Sequence, residues 1–287
     1  LNYAVIIPTR DRIDILRKTL PLWLEHNLPM LLLTEPSQVQ THRALLKELG
    51  IGREILVSGH RRSNKGIGYA RKRAVEIAGN FNVDAFIMAD DDMKITKGDP
   101  RKLLDFVAAG KAIICGGWMS NYGLWVPNGN ELKNHDNLVI PCGGARDRVL
   151  AINTQLCLAA GNFHPGLRWL DTQEMNRRGL RAGHLWYIHT GCHIAMVNKP
   201  RDPGGIQALY QTEEERAAQG RKDHELTFKL WGPRYISAPP KRMSTRWLRM
   251  AEDFIGPKAA EAIKESRSYP EDRVAPALRM FGRSKST

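Results

Sequence analysis

Three consecutive carboxylates, Asp90, Asp91 and Asp92, stand directly after the apolar run Ala85-Phe86-Ile87-Met88. Adjacent carboxylates repel one another, so ionising all three calls for open water or a cation. A hard divalent cation such as Mg²⁺ or Mn²⁺ takes oxygen ligands at this spacing and supplies the missing charge. An EF-hand is excluded, because the glycine and the glutamate that its loop needs are both missing. Upstream, the segment from Asn64 to Arg73 combines Gly66 and Gly68 with Lys65, Arg71, Lys72 and Arg73. Glycines let backbone N–H groups approach phosphates, and a helix N-terminus adds partial positive charge. It is neither a Rossmann fingerprint, since Arg71 stands where the third glycine belongs, nor a Walker loop, since no Gly-Lys-Ser/Thr closes it. An anion-binding loop beside a cation-binding carboxylate cluster suits a metal-bound nucleoside diphosphate. Farther on, Asp171-Thr172-Gln173-Glu174 has the pattern of a capping box in which Asp171 caps and Glu174 reaches back.

The elements that must position these groups alternate. Ala4-Val5-Ile6-Ile7, ended by Pro8, reads as a strand buried on both faces, and Ile13, Leu16, Leu20 and Leu24 follow at helical spacing. A strand from Met30 to Leu33, a helix around His42 to Leu49 stopped by Gly50, and a strand from Glu54 to Val57 come next. A helix is predicted from about Gly68 to Ala78, then the strand Ala85 to Met88. Asp99-Pro100 is a helix start, with the stop at Gly110. A strand Ala112 to Cys115 leads to a loop at Gly116-Gly117-Trp118, and residues 121–141 read as loop-rich. A helix from Asp171 and a strand near Leu185 to Ile188 complete the pattern. This order predicts an α/β protein with an open, mostly parallel sheet flanked by helices. Ligands collect at the carboxyl ends of such strands, which gathers Thr9 to Arg12, Glu35 to Ser37 and Gly59 to Asn64 around one pocket.

The 287-residue chain carries 43 basic against 30 acidic residues, a net charge of +13. Such an excess favours a polyanionic partner: nucleic acid, a phosphate-rich ligand or an anionic membrane face. The longest apolar runs are far too short to cross a bilayer, and Leu1-Asn2-Tyr3 leads directly into a strand-like run rather than a charged-then-apolar leader pattern. A soluble, cytoplasmic protein is therefore expected. Cys115, Cys142, Cys157 and Cys192 are widely spaced without metal-site rhythm and read as buried free thiols. We expect one domain over residues 1–238 and a basic helical extension over 239–287, where 11 basic residues face 6 acidic ones from Lys241 onward. In that tail, Arg242, Arg246 and Arg249 are placed to face phosphates.

Asn64-x-Gly66-x-x-x-Ala70-Arg71, then an apolar strand and Asp90-Asp91-Asp92, with the opening Ile6-Ile7-Pro8-Thr9-Arg10, resembles the core of the GT-A nucleotide-sugar glycosyltransferases of the inverting family 2 type. The resemblance implies a Rossmann-like GT-A fold and a Mn²⁺ or Mg²⁺ cofactor. By it, Asp90 matches the first acid of an Asp-x-Asp motif, near the donor and the metal, and Asp92 the acid bound to the metal. Thr9, Arg10, Glu35, Lys65, Arg71 and Asp91 fall on the donor-binding region. Asp171 matches the catalytic base, with Glu174 as the alternative, although Leu170 stands where the family carries a glutamate. Cys192-His193 resembles the segment that completes the metal site, with His189 as the rival ligand. Thr34-Glu35-Pro36-Ser37 replaces the family's usual Asp-Asp-Gly-Ser, and Lys72 replaces an asparagine.

Size, basic charge and the acidic triad further resemble the phage TET-associated DNA glycosyltransferases. That resemblance implies transfer of a sugar from a nucleotide sugar, a UDP-sugar, to hydroxymethylated pyrimidines in DNA within an infected bacterial cell. Trp118, Trp125 and Trp169 are then candidates to stack on a flipped base or on the donor sugar. The alternatives are a glycosyltransferase with a saccharide, lipid or protein acceptor, and an inactive nucleic-acid-binding module on the same fold.

Overall fold

A computed structural model describes residues 1–52, 55–59, 66–119, 139–142, 148–184, 186–197 and 212–231. Its strands are β1 (Tyr3–Pro8), β2 (Met30–Thr34), β3 (Ile55–Gly59), β4 (Ala85–Ala89), β5 (Met93–Gly98), β6 (Ile114–Trp118), β7 (Val139–Cys142), β8 (Val149–Asn153) and β9 (Trp186–Met196). The helices are α1 (Ile13–Leu24), α2 (Val39–Glu48), α3 (Ile67–Asn80), α4 (Arg101–Ala108), α5 (Thr154–Ala159), α6 (Asp171–Arg181) and α7 (Glu213–Trp231). A 3₁₀ turn over Pro36–Gln38 leads into α2.

One mixed sheet runs in the order β3-β2-β1-β4-β8-β6-β9-β5, with β7 also pairing with β9. The first four strands are parallel, as the alternation of apolar runs and helices requires. β8 then runs antiparallel to both β4 and β6, so the sheet is mixed beyond β4. Successive residues of a strand face opposite sides, and the core divides accordingly. Val5, Ile7, Leu32 and Ile87 pack under α1, α2 and α4. Ile6, Leu31, Leu33, Phe86 and Met88 pack under α3, with Cys157 of α5 and Met175 of α6. The result is a three-layer α/β/α arrangement whose central strands are buried on both faces.

Several boundaries differ from the sequence expectation. Met93–Gly98 is a strand in a stretch to which the sequence assigns no element, held as a ribbon against β9. Gly116, Gly117 and Trp118 lie inside β6 because β9 and β8 pair on either side of it. Cys192 and His193 lie within the eleven-residue β9 rather than at its end. Cys115, Cys157 and Cys192 are buried free thiols, as expected. The extension over 239–287, with Arg242, Arg246 and Arg249, lies outside the described residues, as do Lys65 and Trp125. Among the described residues, no helix is long and apolar enough to cross a membrane.

Candidate active site

The carboxyl ends of β1, β2 and β4 deliver Thr9 and Arg10, Glu35, and Asp90 to Asp92 to one edge of the sheet. Arg10 Nε lies 3.5 Å from Glu35 Oε1, across the parallel register that pairs Pro8 with Leu33. Asp90 is fixed through its backbone, its N–H donating to Arg148 O at 2.7 Å. Its side chain remains about a third exposed, at 31%.

The three aspartates do different work. Asp91 is buried, and its two oxygens accept from Thr9 Oγ1 at 2.8 Å and Arg12 Nη1 at 2.6 Å. Burial pushes its carboxyl up to about 6, against the opposing pull of Arg12 and Thr9. Its backbone carbonyl accepts from Thr19 Oγ1 at 2.9 Å, and Trp23 Nε1 donates to Met93 O at 2.9 Å. Asp91 and Thr9 therefore fasten the acidic turn to β1 and α1. Asp92 gives one oxygen, Oδ2, to Arg12 Nη2 at 3.2 Å. Its other oxygen, Oδ1, is buried and accepts no hydrogen bond; the Arg148 guanidinium stands 4.0 Å away. A buried acceptor left open beside a partly exposed Asp90 fits a hard cation.

Arg71 was expected to face phosphates from the basic loop. It is instead 3% exposed, donating from Nη1 to Asp171 Oδ2 at 2.9 Å, with Nη2 3.6 Å from Asp90 Oδ1. The apolar face of α3 turns it inward, since Arg71 lies one residue beyond buried Ala70 and three before buried Ala74. Gly66 opens the helix at φ +85°, and Gly68 serves close packing. A Cβ on Gly68 would sit 2.4 Å from Leu167 O and 2.6 Å from His164 O.

Asp171 and Glu174 both start α6, but the capping box does not form. Asp171 is the first helical residue and turns to Arg71. Glu174 reaches forward, accepting from Arg178 Nε at 2.6 Å and from Trp231 Nε1 at 3.4 Å. It is fully buried, and burial raises its carboxyl despite Arg178. Glu174 thus lines a separate cavity of about 480 Å³ with Arg178, Arg181 and Trp231, away from Arg71 and Asp90.

The histidines do not reach the aspartates. Val197 N donates to Asp92 O at 2.7 Å, whereas His193 pairs with Lys97, four positions back along β9. At about 3.3 Å per residue the separation is roughly 13 Å, beyond what a shared ion spans. His189 lies farther still, level with Gly117 and Val139. Among the described residues no group of three His, Cys, Asp or Glu side chains is placed to hold a metal. Trp118 is a core residue at 5% exposure, not a stacking platform. Sequence reasoning missed Arg148, which carries no motif; Arg12, the residue that precedes α1, was gathered to the pocket with Thr9 but given no role of its own.

No family model matches the chain, and no curated protein matches it in sequence. Solved structures do match. GalNAc-T7, crystallised with UDP, GalNAc and Mn²⁺, aligns over 94% of this chain at TM-score 0.59 and 13% identity. This chain spans 58% of that one. The mannosyltransferase PcManGT from Pyrobaculum calidifontis, in complex with GDP-Man and Mn²⁺, aligns over 94% of this chain and 76% of its own at TM-score 0.56 and 15% identity. The chain has the GT-A glycosyltransferase fold. At such identities the likeness concerns architecture, and the chemistry must be argued from the residues.

Proposed function

We propose that the protein is a metal-dependent glycosyltransferase that moves a sugar from a nucleotide-sugar donor, a UDP-sugar, to the hydroxymethyl group of modified pyrimidines in DNA. The observation that carries the reading is the Arg71 bridge: one buried guanidinium meets Asp90 of the acidic turn and Asp171 of α6. On a GT-A fold, that joins a donor-side carboxylate and a candidate base in one site.

Asp92 Oδ1 and Asp90 would hold Mn²⁺ or Mg²⁺, with the donor's phosphates completing its shell. When bound, the cation would neutralise the departing nucleoside diphosphate. Glu35 and Arg10 lie where the nucleoside would rest. Asp171 would take the proton of the acceptor hydroxyl as that oxygen forms its bond to the anomeric carbon and the bond to the diphosphate breaks; one displacement inverts the configuration. Asp171 is 1% exposed and tied to Arg71, so it serves as base only when that pair loosens. The donor diphosphate is the competing anion for the guanidinium. Donor binding would thus precede acceptor deprotonation.

The acceptor rests on the +13 charge, which suits a phosphate backbone. The test is mass spectrometry of nucleosides from hydroxymethylcytosine DNA incubated with the protein, Mn²⁺ and a panel of UDP- and GDP-sugars. A glycosylated nucleoside from one donor is the expected result. Donor turnover without labelled DNA would shift the acceptor to a saccharide, lipid or protein, and no turnover of any donor would remove the enzymatic reading.

A further inference from the structure

The chain that leads into Asp171 is held by a residue far away in sequence. Asp223 of α7 is 1% exposed, and its Oδ2 accepts from three successive backbone N–H groups: Arg168 at 2.8 Å, Trp169 at 2.6 Å and Leu170 at 3.3 Å. Its other oxygen accepts from Gln219 Nε2 at 2.7 Å, one helical turn away. Its backbone carbonyl accepts from Thr227 Oγ1 at 2.6 Å. Three N–H groups converging on one oxygen form a nest, the backbone geometry that selects an anion. The nest ends one residue before Asp171, at the N-terminus of α6, where negative charge is also favoured by the helix dipole. The expected capping box is absent, and the chain that enters α6 is held instead from across the fold.

We infer that Asp223 is a positioning residue for transfer: by pinning residues 168–170 it sets where the Asp171 carboxylate stands relative to Arg71 and the reacting hydroxyl. The inference rests on the reading of Asp171 as the base. Asp171 itself begins a helix, so its side chain goes where the preceding backbone sends it. On the other side, Gly68 N donates to Leu167 O at 3.2 Å, so the segment is clamped between α3 and α7. α7 touches neither Asp90 nor Asp92 through any of these bonds. Its effect should reach the base and spare the donor.

The test compares Asp223→Ala, Asp223→Asn and Asp223→Glu, each alone and with Asp171→Asn, in the full chain. Readouts are the transfer rate, Mn²⁺-dependent UDP affinity by calorimetry, and a melting curve. A misplacement on the order of 1 Å costs a rate of roughly 10²-fold, so Asp223→Ala should lower kcat by about that factor with no loss of UDP affinity. Asp223→Asn keeps an oxygen for the three donors and, with the Gln219 amide turned over, should recover most of the rate. Asp223→Glu keeps the charge but moves the acceptor by one methylene, and should lower kcat even where Asp223→Ala fails to fold. In the Asp171→Asn background none of the three should lower the rate further, because a residue acting through Asp171 has nothing left to position. Parent-like kcat in Asp223→Glu, an equal loss of UDP affinity, or full additivity with Asp171→Asn would each overturn the inference. An Asp171→Asn protein with parent-like activity would instead overturn the base, a separate result.

Discussion

Arg71 sits between Asp171 and Asp90, 2.9 Å from the first and 3.6 Å from the second, and is almost wholly buried. The two carboxylates come from elements that do not adjoin in sequence, one from the end of β4 and one from the start of α6. A planar guanidinium can serve both at once, which an ammonium on a flexible stem cannot do in the same geometry. The residue that looks like part of a phosphate-binding loop in the sequence is thus the link between the acidic turn after β4 and the start of α6.

Arg71→Met should be severely destabilising, because it takes away the guanidinium that faces the buried Asp171 carboxylate. Breaking a buried pair in this way costs about 3–5 kcal/mol. Adding Asp171→Leu should restore much of the lost stability without restoring transfer. Urea unfolding of the two proteins is the measurement. A parent-like midpoint for Arg71→Met alone would mean that the pair contributes nothing to the fold.

Asp92 and Asp91 are neighbours with opposite expected phenotypes. Asp92→Asn replaces the open, buried Oδ1 position and should weaken Mn²⁺-dependent binding of a UDP-sugar by roughly 10-fold or more. Asp91→Asn breaks the joint to Arg12 and Thr9, and should cost roughly 1–3 kcal/mol of stability while the Mn²⁺ dependence survives. Calorimetry with and without Mn²⁺, beside a melting curve, separates them. The reverse pattern would exchange their roles.

Why was the acidic turn legible and its wiring not? The apolar runs ending at Pro8, Thr34 and Ala89 specify buried parallel strands, and parallel strands place their carboxyl ends together. That local logic was enough to gather Thr9, Arg10, Glu35 and Asp90 at one edge. It does not extend to the antiparallel half. There β8 pairs with both β4 and β6 across large sequence separations, and β5 exists only as a partner of β9. The histidines were misplaced for that reason: the distance from His193 to Asp92 depends on the β5–β9 register, which no local pattern reveals. Asp223 was invisible because the partners that tie it to residues 168–170 are backbone N–H groups, which any residue but proline supplies.

His189 gives the protein an acid sensitivity. Burial lowers its imidazole to about 4, while Gly191 N donates to Nδ1 at 2.9 Å, so the ring is held neutral. The unfolded chain takes up this proton near pH 6.5 and the folded chain only near 4, so stability is complete above 6.5 and is lost as pH falls through that window. A difference of about 2.5 units corresponds to roughly 3 kcal/mol. His26, His42 and His164 are shifted in the same direction, so the measurement is a difference. His189→Asn, which keeps an acceptor for Gly191 N, should show a shallower fall in stability between pH 6.5 and 4 than the parent. Parallel curves would exclude His189 as a source of the slope.

Gly68→Ala and Gly79→Ala test the clamp from the α3 side, because the two glycines share one helix and differ in what their missing Cβ would meet. At Gly79 the nearest atom is Leu158 Cδ1 at 3.1 Å, the end of a flexible side chain. A small rotation accommodates it, and alanine gains about 1 kcal/mol of helix propensity over glycine. At Gly68 the obstacles are backbone: Leu167 O at 2.4 Å and His164 O at 2.6 Å, with Asp171 Cβ at 3.2 Å. Those carbonyls cannot rotate away, so the segment carrying Asp171 must move off α3, and the bond from Gly68 N to Leu167 O stretches with it. Gly68→Ala should therefore lose roughly 1–3 kcal/mol, as overpacking does, and lose transfer while Mn²⁺-dependent UDP binding holds. Gly79→Ala should be neutral or slightly stabilising and fully active. If both variants behave alike, helix propensity governs the effect, and the close approach of α3 to residues 164–171 has no part in placing the base.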